Sequence, residues 1–346
     1  MSDKTKILVT GGTGYIGSHT TITLMNSGYE VGIVDNFSNS QPSMLERIEE
    51  VIGNRPIFEE VDLRNPAKVE ELFKKHPDIK GIIHFAANKA VGESVEKPVQ
   101  YYHNNLNCLL NLLSFKPENV ESFIFSSSCT VYGEPENPPV NENAPIVKPN
   151  APYGNTKKIC EEILEDHVAA STSKAIALRY FNPIGAHPSG LIGEMPTGVP
   201  DNLVPYITQT AIGKREKFTV FGDDYPTHDG SCIRDYIHIM DLAEAHLQAL
   251  ERNLKGREKA NFEVFNLGTG TGYSVFEVLK TFMKVNEVDV PYQVGERRAG
   301  DVSAIWADPT FANEELGWKA RFGLEDMLES AWRWEKHLHK TIKSEA

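Results

Sequence analysis

Tyr153 and Lys157 stand four residues apart in Pro152-Tyr-Gly-Asn-Thr-Lys157, a spacing that puts both side chains on one face of a helix, about 6 Å apart along its axis. A tyrosine of ordinary pKa, near ~10, is a poor base at neutral pH, but an ammonium beside the phenol favours the phenolate. The pair is therefore a candidate acid/base for an alcohol next to a hydride acceptor. Tyr-x-x-x-Lys alone equally describes a surface helix pair. It gains weight from Ser126-Ser-Ser-Cys-Thr-Val-Tyr-Gly133, which begins where the apolar run Phe123-Ile-Phe125 ends. Ligand sites in open parallel sheets lie at the carboxyl ends of strands, so Ser128 and Thr130 are placed to hydrogen-bond a substrate hydroxyl and its oxidised carbonyl.

A hydride acceptor is provided for at the start of the chain. Thr10-Gly-Gly-Thr-Gly-Tyr-Ile-Gly17 follows the run Lys6-Ile-Leu-Val9 and opens a helical stretch. Gly11, Gly14 and Gly17 keep the turn tight, let backbone approach a diphosphate and let helix pack on strand, while the helix N-terminus supplies N–H donors. A second run, Glu30-Val-Gly-Ile-Val34, ends in Asp35, where a carboxylate accepts from an adenosine ribose and repels a 2′-phosphate. This predicts NAD rather than NADP, and its cationic nicotinamide ring would add to the stabilisation of a Tyr153 phenolate. Gly81-Ile-Ile-His-Phe-Ala-Ala87 ends a further strand with small residues that let a dinucleotide lie close. Asp62 and Lys89 read as adenine and cofactor contacts or, equally, as a helix cap and a solvated charge.

The elements that must position these groups follow from hydrophobic patterning. Apolar runs at Ile7–Thr10, Val31–Val34, Pro56–Val61, Gly81–Phe85, Phe123–Ser126 and Ile176–Tyr180 alternate with helix-like segments, the signature of an α/β, doubly wound parallel sheet covered on both faces. The 346 residues exceed the ~250–300 at which single cores stop growing, which predicts two lobes. Residues 1–180 read as the dinucleotide-binding Rossmann domain, with segments near 236–268 returning to it, and 181–346 as a smaller C-terminal substrate-binding α/β domain. After Tyr180 the Gly- and Pro-rich stretches Asn182–Gly190 and Gly193–Pro200 read as long functional loops with little regular structure. Helical periodicity returns at Leu203–Ile212, Met240–Leu250, Val275–Met283 and Leu324–His339, and Phe262–Leu267 reads as another buried strand.

A formal charge of −13 argues against nucleic acid or an anionic membrane as partner. Cys108, Cys129, Cys160 and Cys232 lack metal-ligand or disulfide spacing. No signal core or membrane-spanning run is found. These features predict a cytoplasmic protein with no structural metal.

Gly11-x-x-Gly14-x-x-Gly17, Ser128, Tyr153 and Lys157 together resemble the extended short-chain dehydrogenase/reductase family. Lys89-Ala-Val-Gly-Glu-Ser94, Ser126–Gly133, Tyr180-Phe-Asn-Pro-Ile-Gly-Ala-His-Pro-Ser-Gly190 and Arg234-Asp-Tyr-Ile-His-Ile-Met-Asp241 narrow the likeness to the UDP-glucose 4-epimerases, over Ile7 to about Trp334. The resemblance implies tightly bound NAD and a redox-neutral cycle. The C4 hydroxyl is oxidised, the 4-keto sugar rotates, and the hydride returns to its other face.

By resemblance, Tyr153 is the base, Lys157 lowers its pKa and holds the nicotinamide ribose, and Ser128 with Thr130 orients O4. Cofactor contacts are implied for Gly11, Gly14, Tyr15, Ile16, Gly17, Asp35, Asn36, Asn39, Asp62, Leu63, Phe85, Ala86, Ala87, Lys89, Asn104, Tyr153, Lys157 and Tyr180. UDP-hexose contacts are implied for Ser128, Tyr153, Asn182, Asn202, Leu203, Val220, Phe221, Arg234, Arg298, Asp301 and Ile305. Viewed without the family, Arg234 or Arg298 is an ordinary solvated or salt-bridged arginine.

Related dehydratases and decarboxylating enzymes carry acidic residues in the segment matching Cys129-Thr130, which disfavours elimination chemistry here. A UDP-glucuronate or UDP-N-acetylhexosamine 4-epimerase and a catalytically inactive nucleotide-sugar-binding scaffold are the competing readings. A large aromatic residue at Ile305 would exclude an N-acetyl group and a small one admit it. Ile305 is intermediate and stiff, which predicts weak or no turnover of N-acetylated sugars, unless it merely packs beside Trp306. A homodimer through the helices Tyr101–Phe115 and Tyr153–Ala170 is also implied by resemblance, although Leu106, Leu109, Leu110 and Leu113 suit packing on the sheet as well.

Overall fold

In the computed structural model, which describes residues 4–135, 137–298 and 300–345, the first half of the chain alternates strand and helix. The elements are β1 (Lys6–Thr10), α1 (Tyr15–Asn26), β2 (Glu30–Asp35), α2 (Ser43–Ile52), β3 (Ile57–Glu60), α3 (Pro66–Lys75), β4 (Ile79–His84), α4 (Val91–Glu96), α5 (Pro98–Phe115), β5 (Ser122–Ser126), a short 3-10 helix (Cys129–Tyr132), α6 (Pro152–Ala169) and β6 (Ala175–Tyr180). Period-2 geometry sends successive side chains to opposite faces. Ile7, Val9, Ile83, Ile124 and Ile176 pack under α1, α2 and α8 (Ile239–Leu254). Their neighbours Leu8, Ile82, Phe123, Phe125 and Ala177 pack under α3, α5 and α6. Burial on both faces explains why these strands are continuous apolar runs.

The chain leaves this sheet after β6 through β7 (Asn182–Ile184), α7 (Leu203–Ala211), β8 (Phe218–Phe221) and β9 (Ile233–His238). It returns with α8 and β10 (Phe262–Leu267), which lies parallel to β6. The strand order is β10-β6-β5-β4-β1-β2-β3, all parallel. The direction of winding reverses between β1 and β4, and a crevice opens there at the strands' carboxyl ends.

The remaining elements are β11 (Gly272–Ser274), α9 (Val275–Asn286), β12 (Tyr292–Gly295), β13 (Ala304–Ile305) and α10 (Leu324–Glu345). Strand β9 pairs with β7, β11 and β13, and β8 pairs with β12. A separate core of Val204, Ile207, Phe218, Phe282, Met327 and Leu328 fills the space between α7, α9 and α10. The stretch after Tyr180 is thus more regular than its composition predicts. Pro183 and a length of three residues hide β7, and Arg234-Asp235 interrupts β9. Asp235 is nevertheless fully buried, because Thr269 N, Gly270 N and Ala307 N all donate to its carboxylate.

Candidate active site

The glycine turn lies in the β1/β4 crevice. Gly11 has φ +69°, a left-handed conformation that glycine adopts freely, and a Cβ there would stand 2.8 Å from Ala86 N. Its N–H donates to Val34 O at 2.7 Å, and Phe85 N donates to Thr10 O at 3.0 Å, so β1, β2 and β4 are held around the turn. Gly14 caps α1 with no side-chain cap, which leaves the first helical N–H groups facing the crevice. Asp35 ends β2 beside them. It accepts from Thr13 N (3.2 Å), Phe37 N (2.9 Å) and Ser40 Oγ (3.1 Å), leaving one of the roughly four acceptor positions of a carboxylate. A glycine cradle that a Cβ would fill, an uncapped helix start and a partly used carboxylate fit NAD.

The other predicted cofactor residues fall around this crevice with varied partners. Tyr15 Oη donates to Gly185 O at 2.7 Å, and Ile16 packs on the core under α1. Asn36 accepts from Ser38 N, and Asn39 from Thr197 Oγ1. Asp62 is paired with Arg64, whose hydrogen bonds hold its carboxyl below the usual range. Leu63 is buried. Phe85 stands against the His246 ring, and Ala86 and Ala87 follow it. Lys89 is exposed and paired with Glu194 at 3.5 Å, the carboxylate that also takes Asn202 Nδ2 at 2.5 Å. Asn104 donates to Asn105, which braces Asn88 and Thr156.

Tyr153, in the first turn of α6, faces the loop after β5. The Ser128 hydroxyl and the Tyr180 phenol both lie close to its phenol oxygen. Ser128 in turn accepts from Thr130 N (3.2 Å) and Thr130 Oγ1 (2.9 Å), so Thr130 orients Ser128. Lys157 is buried and donates to Ser126 O at 2.6 Å, with its ammonium 4.8 Å from the Phe125 ring and 5.9 Å from that of Tyr153. Ser126 Oγ meets Tyr180 Oη at 2.6 Å.

Burial raises the Tyr153 phenol well above its ordinary pKa, the Tyr180 phenol adds to the rise, and Ser128 opposes it. Burial likewise pushes Lys157 down to about 8. Desolvation disfavours both charged forms.

The predicted substrate cations converge as well. Arg298 forks onto Asp301 (3.2 and 3.0 Å) and lies 5.8 Å from the Phe221 ring centre, and Arg234 approaches Asp301 at 3.8 Å. Phe221 is half exposed at the end of β8, and Val220 is buried. Asn202 and Leu203 start α7, and Asn182 starts β7. Ile305 pairs with Arg234 across β13 and β9 and is 3 % exposed, packed with Cys129, Val131 and Phe181. It therefore borders the Ser128–Thr130 segment from the core side.

Sequence reasoning passed over Ser126, whose carbonyl and hydroxyl hold Lys157 and Tyr180. It also passed over Glu194 and a buried pair, Glu161–Arg179. An arginine inside the otherwise apolar strand Ala-Ile-Ala-Leu-Arg-Tyr was the available signal, since such a charge requires a partner.

A sequence model of the family described as GDP-mannose 4,6 dehydratase matches residues 8–331. A UDP-glucose 4-epimerase of Bacillus subtilis is 51% identical over 331 residues, 95% of this chain and 96% of that protein. The Homo sapiens UDP-glucose 4-epimerase is 48% identical, covering 96% of each chain. Among solved structures, UDP-glucose 4-epimerase from Bifidobacterium longum in complex with NAD+ and UDP superposes with TM-score 0.92 at 46% identity, over 96% of this chain and 98% of that one.

Proposed function

We propose a mechanism from the premise that this chain belongs to the UDP-glucose 4-epimerase family of extended short-chain dehydrogenases/reductases. The protein is an NAD-dependent isomerase that interconverts UDP-glucose and UDP-galactose at C4. NAD, held by the glycine turn and Asp35, would supply an acceptor for the C4 hydride and a donor for its return, leaving no net oxidation. Tyr153 Oη takes the proton from the sugar O4 and returns it after the keto sugar has turned. Ser128, held by Thr130, hydrogen-bonds both Tyr153 and O4. Lys157, anchored to Ser126 O, sets the ribose side of the cofactor, and Asp35 takes the adenosine ribose. Arg298 and Arg234 bind the diphosphate through guanidinium donors now shared with Asp301.

The observation that carries this reading is the meeting of Tyr153, Ser128 and Lys157 at the carboxyl end of β5, beside the switch point. The matching family description names a dehydratase, but Cys129 and Thr130 offer no carboxyl group for elimination, and the relatives near 50% identity are epimerases. Purified protein given UDP-galactose with no added NAD is expected to form UDP-glucose without stoichiometric NADH. UDP-N-acetylgalactosamine is expected to react weakly or not at all, because Ile305 is packed and stiff. Turnover of UDP-glucuronate alone would overturn the substrate assignment, and no turnover of any of the three after NAD is supplied would favour a binding scaffold.

No helix among the described residues is long and apolar enough to cross a membrane, and four free buried cysteines support a cytoplasmic setting. We infer a homodimer through α5 and α6. Leu109 is fully buried and Leu106 and Leu113 pack inward, but Leu110 is 43 % and Val99 78 % exposed on α5, leaving apolar area for a second copy. Light scattering is expected to return twice 38.6 kDa; monomer mass would refute it.

A further inference from the structure

Glu161 and Arg179 form a buried ion pair that touches none of the reacting groups yet borders all of them. Arg179 Nε donates to Glu161 Oε1 and Oε2 at 3.0 and 3.2 Å, and Nη2 to Oε2 at 2.6 Å. The two side chains are 5 % and 6 % exposed. Ser127 Oγ donates to Glu161 Oε1 at 2.5 Å. Arg179 Nη1 donates to Tyr132 Oη at 2.9 Å, and Tyr132 donates onward to Asn266 Oδ1 at 2.7 Å. Asn266 is itself fixed by Val140 O and Glu142.

The placement of these residues along the chain is systematic. Ser127 lies between Ser126, whose carbonyl accepts from Lys157, and Ser128, whose hydroxyl lies close to the Tyr153 phenol. Tyr132 closes the 3-10 helix that carries Thr130. Glu161 is one helical turn beyond Lys157 on α6, and Arg179 immediately precedes Tyr180 on β6. The four segments that supply the chemistry are thus tied at one point behind the site. A buried ion pair is seldom more stable than an apolar pair of equal volume, so stability alone does not account for it. A planar guanidinium fork does fix directions and distances.

We propose that Glu161 and Arg179 are positioning residues that set the separation of Ser128 from Tyr153 and Lys157 through Ser127 and Tyr132. The inference rests on the roles given above to Tyr153, Ser128 and Lys157. Misplacing a reacting group by a fraction of an ångström to an ångström costs about ten- to a hundredfold in rate. The test is the double variant Glu161→Leu/Arg179→Met, which removes both charges together, compared with the parent enzyme for melting temperature, kcat, KM for UDP-galactose and amide exchange in residues 127–132. Melting within about 5 °C of the parent is expected. So are a kcat lower by about tenfold or more with KM within about twofold, and faster exchange in 127–132.

A parental kcat, or a kcat that falls only in proportion to lost folded protein, would overturn the proposal. Should the double variant not fold, Ser127→Ala and Tyr132→Phe decide it. Each is expected to lower kcat about threefold or more with the fold retained, and two unchanged kcat values would refute it. Tyr153→Phe run alongside separates the two readings: if that variant stays active, the catalytic assignment fails. If it is inactive while Glu161→Leu/Arg179→Met is fully active, only the positioning role fails.

Discussion

Tyr153→Phe is expected to lower kcat for UDP-galactose by about 10²–10⁴-fold, the range that a positioned proton-transfer group contributes, while the purified protein keeps its fold and its NAD. The substitution removes one oxygen from a side chain that is 7 % exposed. The substitution takes the phenol oxygen away from the nearby Ser128 hydroxyl, and Ser128 keeps both donors from Thr130. The stability cost is therefore about 1 kcal/mol, offset in part because burial no longer has to desolvate a hydroxyl. No backbone in the glycine cradle moves, so cofactor content should match the parent. KM should change little, since the proposed diphosphate contacts, Arg234 and Arg298, lie on other elements. Kinetics, a melting curve and NAD released on denaturation measure the three consequences, and a rate within a few-fold of the parent would remove Tyr153 as the base.

The geometry also says what the proton transfer requires. Burial raises the phenol's pKa and brings Lys157 to about 8, while the Lys157 ammonium donates to Ser126 O. A cationic nicotinamide ring beside the phenol would oppose that rise. The spacing Tyr-x-x-x-Lys reveals that the two groups share a helix face, but adjacency along a helix says nothing of burial. Burial decides the direction of both shifts, and it comes from β5, β6 and the loop after β5.

The same division between local and distant causes explains what else was legible. The first sheet reads largely from sequence because its central strands are covered on both faces and so are mostly apolar, whereas the edge strand β3 ends in Glu59-Glu60 and is partly exposed. The glycine turn and Asp35 read directly because the chemistry lies within one β-α-β unit. Strand β9 does not, since the donors that make Asp235 tolerable come from Thr269, Gly270 and Ala307, remote in the chain. The pairing of Glu161 with Arg179 is hidden for the same reason. Arg179 stands out inside an apolar strand, but its partner Glu161 looks like an ordinary charge until α6 is laid against β6. Lys89 and Asp62 are open in the other direction, because both engage protein partners, Glu194 and Arg64, that a cofactor would have to displace or share.

Gly17→Ala is expected to abolish NAD retention and to destabilise the protein by about 3 kcal/mol, the upper end for overpacking. A Cβ at this position overlaps the Gly11 carbonyl oxygen and comes within 2.8 Å of Gly12 Cα. Both are backbone atoms of the turn itself, so no side chain can rotate away and relieve the clash. The helix α1 must instead lift from β1, which widens the turn, swings the uncapped N–H groups of α1 off the crevice and loosens Thr13 from Asp35. Gly14 supplies the graded control. Its φ is −73°, ordinary for any residue, and a Cβ there lies 3.2 Å from Gly11 O, a tight contact that a shift of a few tenths of an ångström relieves. Gly14→Ala should therefore keep part of its NAD and melt between the parent and Gly17→Ala. Gly28, whose Cβ would meet nothing within 4 Å, isolates the backbone term: at φ +92° alanine is strained by about 1–2 kcal/mol, with no reason to lose cofactor. The checks are bound NAD after gel filtration and the melting temperature of all three variants. If Gly17→Ala retained full NAD and the parental melting temperature, or if Gly28→Ala lost NAD as readily, close packing of α1 on the turn would not be what holds the pyrophosphate site in shape.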